Sequence, residues 1–343
     1  MKAALLNGIR DISIGEFPDP VIGDGDALIR IRSIGVCGSD VHYYTHGRIG
    51  RYIAKPPFIL GHECAGEVLE VGKDVTNVKP GDRVAVEPGV PCRRCGFCKS
   101  GRYNLCRNVV FLAAPPYHGA FCEYLGHAAD FLFPIPDEVS FDEAAMCEPL
   151  SIGIHSVARS GIKLGDRVLI IGVGPIGLAN LQAFLSAGAG EIYVSDLDPA
   201  RLEFAKKMGA THGFDARDPE LAAKLRDLTE GLGPEIIVET AGSAEATAAS
   251  VDIVRPGGVV VLVGLSPEGT VPMNTITAID KEIDMRGIFR YANTYPAALS
   301  LIARGAVDVK SIVTARYPLD ETAQAMADVA DRKPGIIKAC VTN

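Results

Sequence analysis

The chain has 343 residues, 48% hydrophobic and 22% charged, more apolar material than one core usually holds, so two domains are expected. A net charge of −8, from 34 Lys+Arg against 42 Asp+Glu with no basic block, argues against nucleic acid or an anionic membrane as the main partner. No stretch reaches the roughly 18 uninterrupted apolar residues of a membrane span, and the N-terminal run meets Gly8 and Arg10 too soon for a signal-peptide core. A soluble, cytoplasmic protein is expected, in which nine cysteines point to metal or thiolate chemistry rather than disulfides.

The first 150 residues carry short β-branched runs with polar/apolar alternation, at residues 27–32, 66–72 and 82–86, punctuated by glycine and proline. This pattern predicts an antiparallel, barrel-like β domain with irregular loops. Two of those loops, Val36-Cys37-Gly38-Ser39-Asp40 and Leu60-Gly61-His62-Glu63, offer metal ligands beside glycines. Alone, Cys37 is ordinary filler and His62 an ordinary core or surface histidine. Together with a nearby carboxylate they form the open donor set of a catalytic zinc, with one position left for water or substrate. Cys92, Cys95, Cys98 and Cys106 follow as C-x2-C-x2-C-x7-C, the spacing of a closed structural zinc site. Disulfides and an iron–sulfur cluster are the other readings of that spacing. Arg93, Arg94, Lys99 and Arg102 would offset the negative charge of a zinc tetrathiolate.

From about residue 152 the texture changes. Apolar runs at 167–171, 191–195, 235–239 and 258–263 alternate with helical stretches at 176–187, 200–208 and 244–254. Continuous apolar strands alternating with helices predict a doubly wound parallel sheet. Gly172-Val173-Gly174-Pro175-Ile176-Gly177 follows the first strand and opens a helix, in the context a dinucleotide turn requires. Gly172 makes the turn, Gly174 admits a pyrophosphate, and Gly177 lets helix and strand pack closely. Asp196 ends the second strand where a carboxylate binds the adenosine ribose hydroxyls, which favours NAD over NADP. Nearby Arg201 reads as packing against adenine or as a solvated helix face. A fold of this type without a nucleotide is the alternative. A helix at 296–303 and a strand near 336–341 are expected to return to the first domain.

Gly61-His62-Glu63-Cys64-Ala65-Gly66, with Gly72 and Val75 beyond it, resembles the zinc signature of the medium-chain dehydrogenase/reductase family, and the resemblance spans essentially the whole chain. Residues 37–43 and 47–50, Glu148-Pro149-Leu150-Ser151 and Arg290-Tyr291-Ala292-Asn293-Thr294 look like its polyol branch, which contains sorbitol and xylitol dehydrogenases. Retention of all four lobe cysteines departs from many members of that branch. The resemblance implies an α/β chain: a GroES-like β-barrel catalytic domain over residues 1–151 and 289–343, and a Rossmann NAD-binding domain over 152–288. It makes Cys37, His62 and Glu63 the zinc ligands, with Glu148 holding a zinc-bound water or swinging in as a ligand. Tyr43, Phe111, Glu148, Arg290 and Tyr291 would line the polyol pocket, although Tyr43 and Tyr291 read otherwise as aromatic packing. Ile176, Asp196, Arg201, Val263, Gly264, Leu265 and Phe289 would contact the cofactor.

Ser39 and His42 sit at the spacing of a proton relay, with His42 equally readable as a solvated loop residue. Cys147, beside Glu148, reads as packing filler. The expected reaction is reversible oxidation of a secondary hydroxyl of a polyol to the 2-ketose, with NAD, one catalytic zinc and one structural zinc. The rivals are another zinc alcohol dehydrogenase of threonine or butanediol type, and a non-catalytic nucleotide-binding relative. The resemblance also implies a homotetramer, with residues 258–263 and 283–288 as interface candidates.

Overall fold

The computed structural model describes residues 1–266 and 269–343. The chain divides into two compact units, Met1–Glu148 with Tyr295–Gly305 and Val309–Asn343, and Pro149–Thr294 with Ala306–Asp308. The first break falls inside the helix Cys147–Ser160, slightly before the expected boundary at 151/152. The second falls after the expected 288/289: the Ile288 amide bonds the Leu262 carbonyl of the second unit's sheet at 2.9 Å, and that unit runs on to Thr294. Phe289, Arg290 and Tyr291 therefore belong to the second unit.

In the first unit, the long strand Asp26–Gly35 organises the sheet. It pairs antiparallel with Glu63–Val71, Tyr124–Ala128 and Lys338–Thr342. Pairing with three partners requires it to bend, and register shifts at Leu28/Ile29 and Ile31/Ser33 mark the irregularities. Its alternating burial puts Ala27, Ile29 and Ile31 into a core shared with Leu60, Val68, Phe121 and Val341. The barrel-like reading from alternation thus holds, with one departure: the last two strands, Val313–Pro318 and Lys338–Thr342, run parallel, joined through the helix Thr322–Ala330. Parallel neighbours need a crossover connection, which this helix supplies.

The second unit is a six-stranded, all-parallel sheet. Its spatial order is His212–Asp215, Glu191–Asp196, Arg167–Ile171, Ile236–Glu239, Val259–Leu262 and Asp284–Gly287. The chain order reverses between Arg167–Ile171 and Ile236–Glu239, the switch point of a doubly wound sheet, where such folds bind ligands. The apolar runs are strands because helices cover both faces: Ile236, Ile237, Val238 and Glu239 are all buried. His212–Asp215 and the helix Leu221–Leu228 extend the pattern beyond the segments expected from sequence. Val259–Leu262 is paired on both sides and its Val260 and Val261 are wholly buried, so it is interior, not interface material. Asp284–Gly287 and His212–Asp215 are the two edges of this sheet among the described residues.

Candidate active site and metal centres

The helix Gly38–His46 begins at Cys37, and Asp40 in its first turn reaches back to the Cys37 amide at 3.0 Å. The other carboxylate oxygen of Asp40 accepts the Gly61 amide at 3.0 Å and lies 3.7 Å from His62 Nδ1. One buried carboxylate therefore fixes both ligand loops. Gly61 adopts φ +91°, and a Cβ there would press on Phe121 and Ile34, so the tight turn before His62 requires glycine. Asp40 is absent from the residues expected to matter; its signal was an acid at the third helical position after a candidate ligand.

Glu63 opens the strand Glu63–Val71, opposite Gly35 in register and wholly buried. Its carboxylate pairs with Lys338 at the start of the strand Lys338–Thr342, a lysine only 2% exposed. Burial alone would push the Lys338 ammonium towards neutrality, but the Glu63 and Cys37 charges hold its pKa above the ordinary value. A Cβ on Gly35 would collide with Glu63 Oε2 and lie 2.9 Å from Lys338 Cε.

The donor atoms of Cys37, His62 and Glu63 all lie within 4.8 Å of one another. Zinc bond lengths place tetrahedral ligand atoms about 3.3–3.8 Å apart, so the trio suits that ion. Apart from the pairing with Lys338, neither Glu63 oxygen has a hydrogen-bond partner among the described residues. A divalent ion would also balance the charges, since Lys338 already offsets one of the three anions Cys37, Glu63 and Asp40. Burial lowers the His62 pKa, yet the charges of Cys37 and Asp40 prevail and hold it well above its usual value, the mark of a strongly electronegative surround. The residues present fit zinc.

Around this trio, the Phe111 ring lies 5.7 Å from that of His62. Tyr43 is buried on the same helix as Ser39 and His42, with its ring 6.4 Å from Phe58. The His42 ring lies 5.8 Å from that of His46 on the surface of the helix, and partial desolvation of the ring together with His46 lowers its pKa. Glu148 is buried but lies outside the trio of converging donors. Cys147 is wholly buried, and burial raises its pKa, which keeps it a packed thiol. Glu87, also outside the expected set, accepts the Tyr103 hydroxyl at 2.7 Å, and burial with the nearby Glu148 charge raises its pKa to about 7.

Cys92, Cys95, Cys98 and Cys106 form the second cluster, again with all donors within 4.8 Å. The Cys95–Cys98 and Cys92–Cys98 sulfurs are 3.4 and 3.9 Å apart, and all nine cysteines are free. These separations exclude disulfides (S–S about 2.0 Å) and bracket the roughly 3.8 Å of a zinc tetrathiolate. The Arg94 and Cys95 amides stabilise the Cys92 thiolate and lower its pKa to about 6. Arg93 feels the charge of Cys98, but its hydrogen bonds go elsewhere. It is bound twice to Asp130, at 2.8 and 2.6 Å.

In the second unit, Gly172 sits at φ +87° with the Ala241 backbone 3.0 Å from where its Cβ would be, and a Cβ on Gly177 would strike the Gly172 carbonyl. A Cβ on Gly174 would meet only Arg201, at 3.7 Å, which leaves the turn open at the N-terminus of the helix Pro175–Ser186. Backbone amides at such a terminus suit a phosphate. Asp196 accepts the Val173 and Asp198 amides at 2.7 and 2.9 Å, which locks the second strand's end to the turn. The Val263 and Gly264 amides are held by the Glu239 carbonyl, both at 2.9 Å. Leu265 and Phe289 are exposed, Tyr291 is buried, and the Arg290 guanidinium lies 4.8 Å from the Phe289 ring centre. The cradle fits a dinucleotide.

The alcohol dehydrogenase GroES-like domain family matches residues 23–137, and the zinc-binding dehydrogenase family matches residues 175–304. The chain is 48% identical to a sorbitol dehydrogenase of Bacillus subtilis, covering 99% of this chain and 97% of that protein. It is 46% identical to a sorbitol dehydrogenase of Gallus gallus, covering 94% and 91%. An Escherichia coli oxidoreductase/dehydrogenase of unknown specificity superposes with a TM-score of 0.95 at 38% identity, covering 99% and 98% of the two chains.

Two outcomes follow from this geometry. Gly35→Ala should displace the Glu63–Lys338 pair, costing about 1–3 kcal/mol of stability and lowering zinc content at the Cys37 site, read by denaturant unfolding and metal analysis. Unchanged stability and zinc content would show that the crowding at Gly35 is harmless. Because the folded protein holds the Glu87 proton more tightly than the unfolded chain, Glu87 destabilises progressively as pH rises from its ordinary value of 4.5 to about 7. Glu87→Gln, which keeps an acceptor for Tyr103, should flatten that part of the profile of melting temperature against pH and raise the melting temperature at pH 8.

Proposed function

The chain belongs to the zinc-dependent medium-chain dehydrogenase/reductase family, in its polyol dehydrogenase branch, and from that premise we propose that it oxidises a secondary hydroxyl of a polyol such as sorbitol or xylitol to the 2-ketose, reversibly and with NAD. The observation that carries this reading is the convergence of Cys37, His62 and Glu63 beside Phe111, with His62 and Glu63 buried and Cys37 half-buried. A nucleotide-binding relative without catalysis has no need of it.

Cys37, His62 and Glu63 would hold the catalytic ion, with Glu148 holding a water or substrate hydroxyl beside it or swinging in as a ligand. When bound, zinc supplies Lewis-acid polarisation of the substrate hydroxyl and NAD supplies the hydride acceptor. Ser39 takes the hydroxyl proton and passes it towards His42, whose lowered pKa suits a neutral acceptor near physiological pH. Tyr43, Phe111, Glu148, Arg290 and Tyr291 contact the polyol. Asp196 receives the adenosine ribose hydroxyls and repels a 2′-phosphate. The Gly172, Gly174, Pro175, Ile176 and Gly177 turn takes the pyrophosphate, with Arg201 over Gly174. Val263, Gly264, Leu265 and Phe289 complete the cofactor contacts. Cys92, Cys95, Cys98 and Cys106 hold a second, structural zinc.

No described helix is long and apolar enough to cross a membrane, and a cytoplasmic location agrees with this. A homotetramer is supported by the edge strand Asp284–Gly287 and by the exposed Ile276 and Ile279 on the preceding helix, 70% and 74% accessible. Sedimentation of the purified protein as a monomer would remove that part of the reading.

Initial rates on sorbitol, xylitol, ribitol, threonine and 2,3-butanediol, each with NAD and NADP, test the whole. The polyols should be turned over with NAD, and Asp196→Ala should narrow the NAD preference by about tenfold or more, as loss of a charge-assisted contact does. Turnover confined to threonine or butanediol would reject the polyol reading; an unchanged cofactor preference in Asp196→Ala would reject the ribose contact. Cys37→Ser should remove activity and one zinc per chain while leaving a folded protein.

A further inference from the structure

Glu239 ends the strand Ile236–Glu239 and is 1% exposed, with no role in the chemistry above. Its Oε1 accepts the Gly242 amide at 2.7 Å, whereas Oε2 is buried with no hydrogen-bond partner among the described residues. Burial raises its pKa against the opposing pull of the Gly242 and Ala241 amides. Carboxylates are seldom buried without a charged partner, and one held only by backbone amides needs an explanation.

The turn it holds is wedged between the two strand ends of the cofactor cradle. On one side the Thr240 amide bonds the Ile171 carbonyl at 2.9 Å, and the Thr240 hydroxyl bonds the Gly172 carbonyl at 2.7 Å. Ala241 packs so closely on Gly172 that a Cβ there would come within 3.0 Å of its nitrogen. On the other side, a Cβ on Gly264 would strike the Gly242 amide and lie 2.8 Å from Glu239 Oε2. Gly242 itself adopts φ +68°, with the Leu265 carbonyl 2.8 Å from where its Cβ would be. Between Gly172 and Gly264 the turn is thus held by Thr240 on one side and by the Glu239 carboxylate on the other.

A doubly wound sheet takes one mononucleotide on each half, across the switch point. Asp196 stands on the first half and Glu239 on the first strand of the second half. We propose that Glu239 is a positioning residue for the nicotinamide half of the dinucleotide, setting the 240–242 turn between Gly172 and Gly264 through the Gly242 amide. This rests on the NAD reading above.

Calorimetric titration of the zinc-loaded protein with NADH and, separately, with AMP distinguishes positioning from general support of the fold. Glu239→Ala should weaken NADH about tenfold or more, the scale of a lost buried hydrogen bond, while AMP, held by the first half, changes less than about threefold. Glu239→Gln keeps the acceptor for Gly242 and should restore NADH to within about threefold of wild type. Glu239→Asp, which leaves a smaller void than alanine and draws the carboxyl away from Gly242, should show the alanine loss even if the alanine variant folds poorly. Equal losses of NADH and AMP, undiminished NADH binding in both the alanine and aspartate variants, or a glutamine variant as weak as alanine would each overturn the proposal. A wild-type protein that binds AMP but not NADH would overturn the NAD reading, and this inference with it.

Discussion

A lysine and a glutamate buried together, far from water, are expensive unless something further needs their charges. Lys338 and Glu63 are that pair, and they come from opposite ends of the first unit's sequence. Desolvating two ions costs several kcal/mol each, and mutual attraction repays it only with good geometry and well-satisfied oxygens. Among the described residues the Glu63 oxygens have no hydrogen-bond partner beyond the lysine, so the pair alone is a poor way to stabilise a core. It makes sense as half of a larger electrostatic unit in which Cys37 and Asp40 add negative charge and a divalent cation completes the set. The strand pairing follows: Asp26–Gly35 must lie between Glu63–Val71 and Lys338–Thr342 for the two side chains to meet. Gly35 must lack a side chain for them to fit.

The same economy appears in Asp40 and Asp196. Each is an acid at an element's end that accepts two backbone amides from different segments, and so each fixes a loop beside the chemistry. Asp40 joins the two ligand loops of the first unit; Asp196 joins strand end to glycine turn in the second. Backbone amides cannot move without breaking such bonds, which suits sites that must be in place before substrate arrives.

What could be read from the sequence was local. The four lobe cysteines and the glycine turn with Asp196 sit within short windows whose spacing encodes their geometry, and the apolar runs of the second unit fold as the strands they resemble. Cys37 and His62 became legible only as a pair, through loops rich in glycine. The supporting charges were not legible, because Asp40, Glu87, Glu239 and Lys338 are buried by tertiary pairing that no window of sequence contains. A lone lysine near a chain's end reads as solvated surface on any compositional rule, yet Lys338 is among the least exposed side chains. The strand His212–Asp215 escaped because it is short and carries polar residues at both ends. Residues 258–263 read from sequence as interface material because, by pattern, an apolar run of that kind is indistinguishable from an interior strand paired on both sides.

The parallel strand that brings in Lys338 has a consequence for synthesis. A ribosome makes Glu63 early, then the entire second unit, and only afterwards the strand that neutralises it. The second unit's sheet can form from contiguous chain, but the first unit waits with a half-built pocket of cysteine, histidine and glutamate. During that interval its carboxylate stays hydrated and its sheet lacks a member, so closure of the site is a late, long-range event of the kind that slows folding. The fold of the second unit can therefore be in place before Cys37, His62 and Glu63 are enclosed.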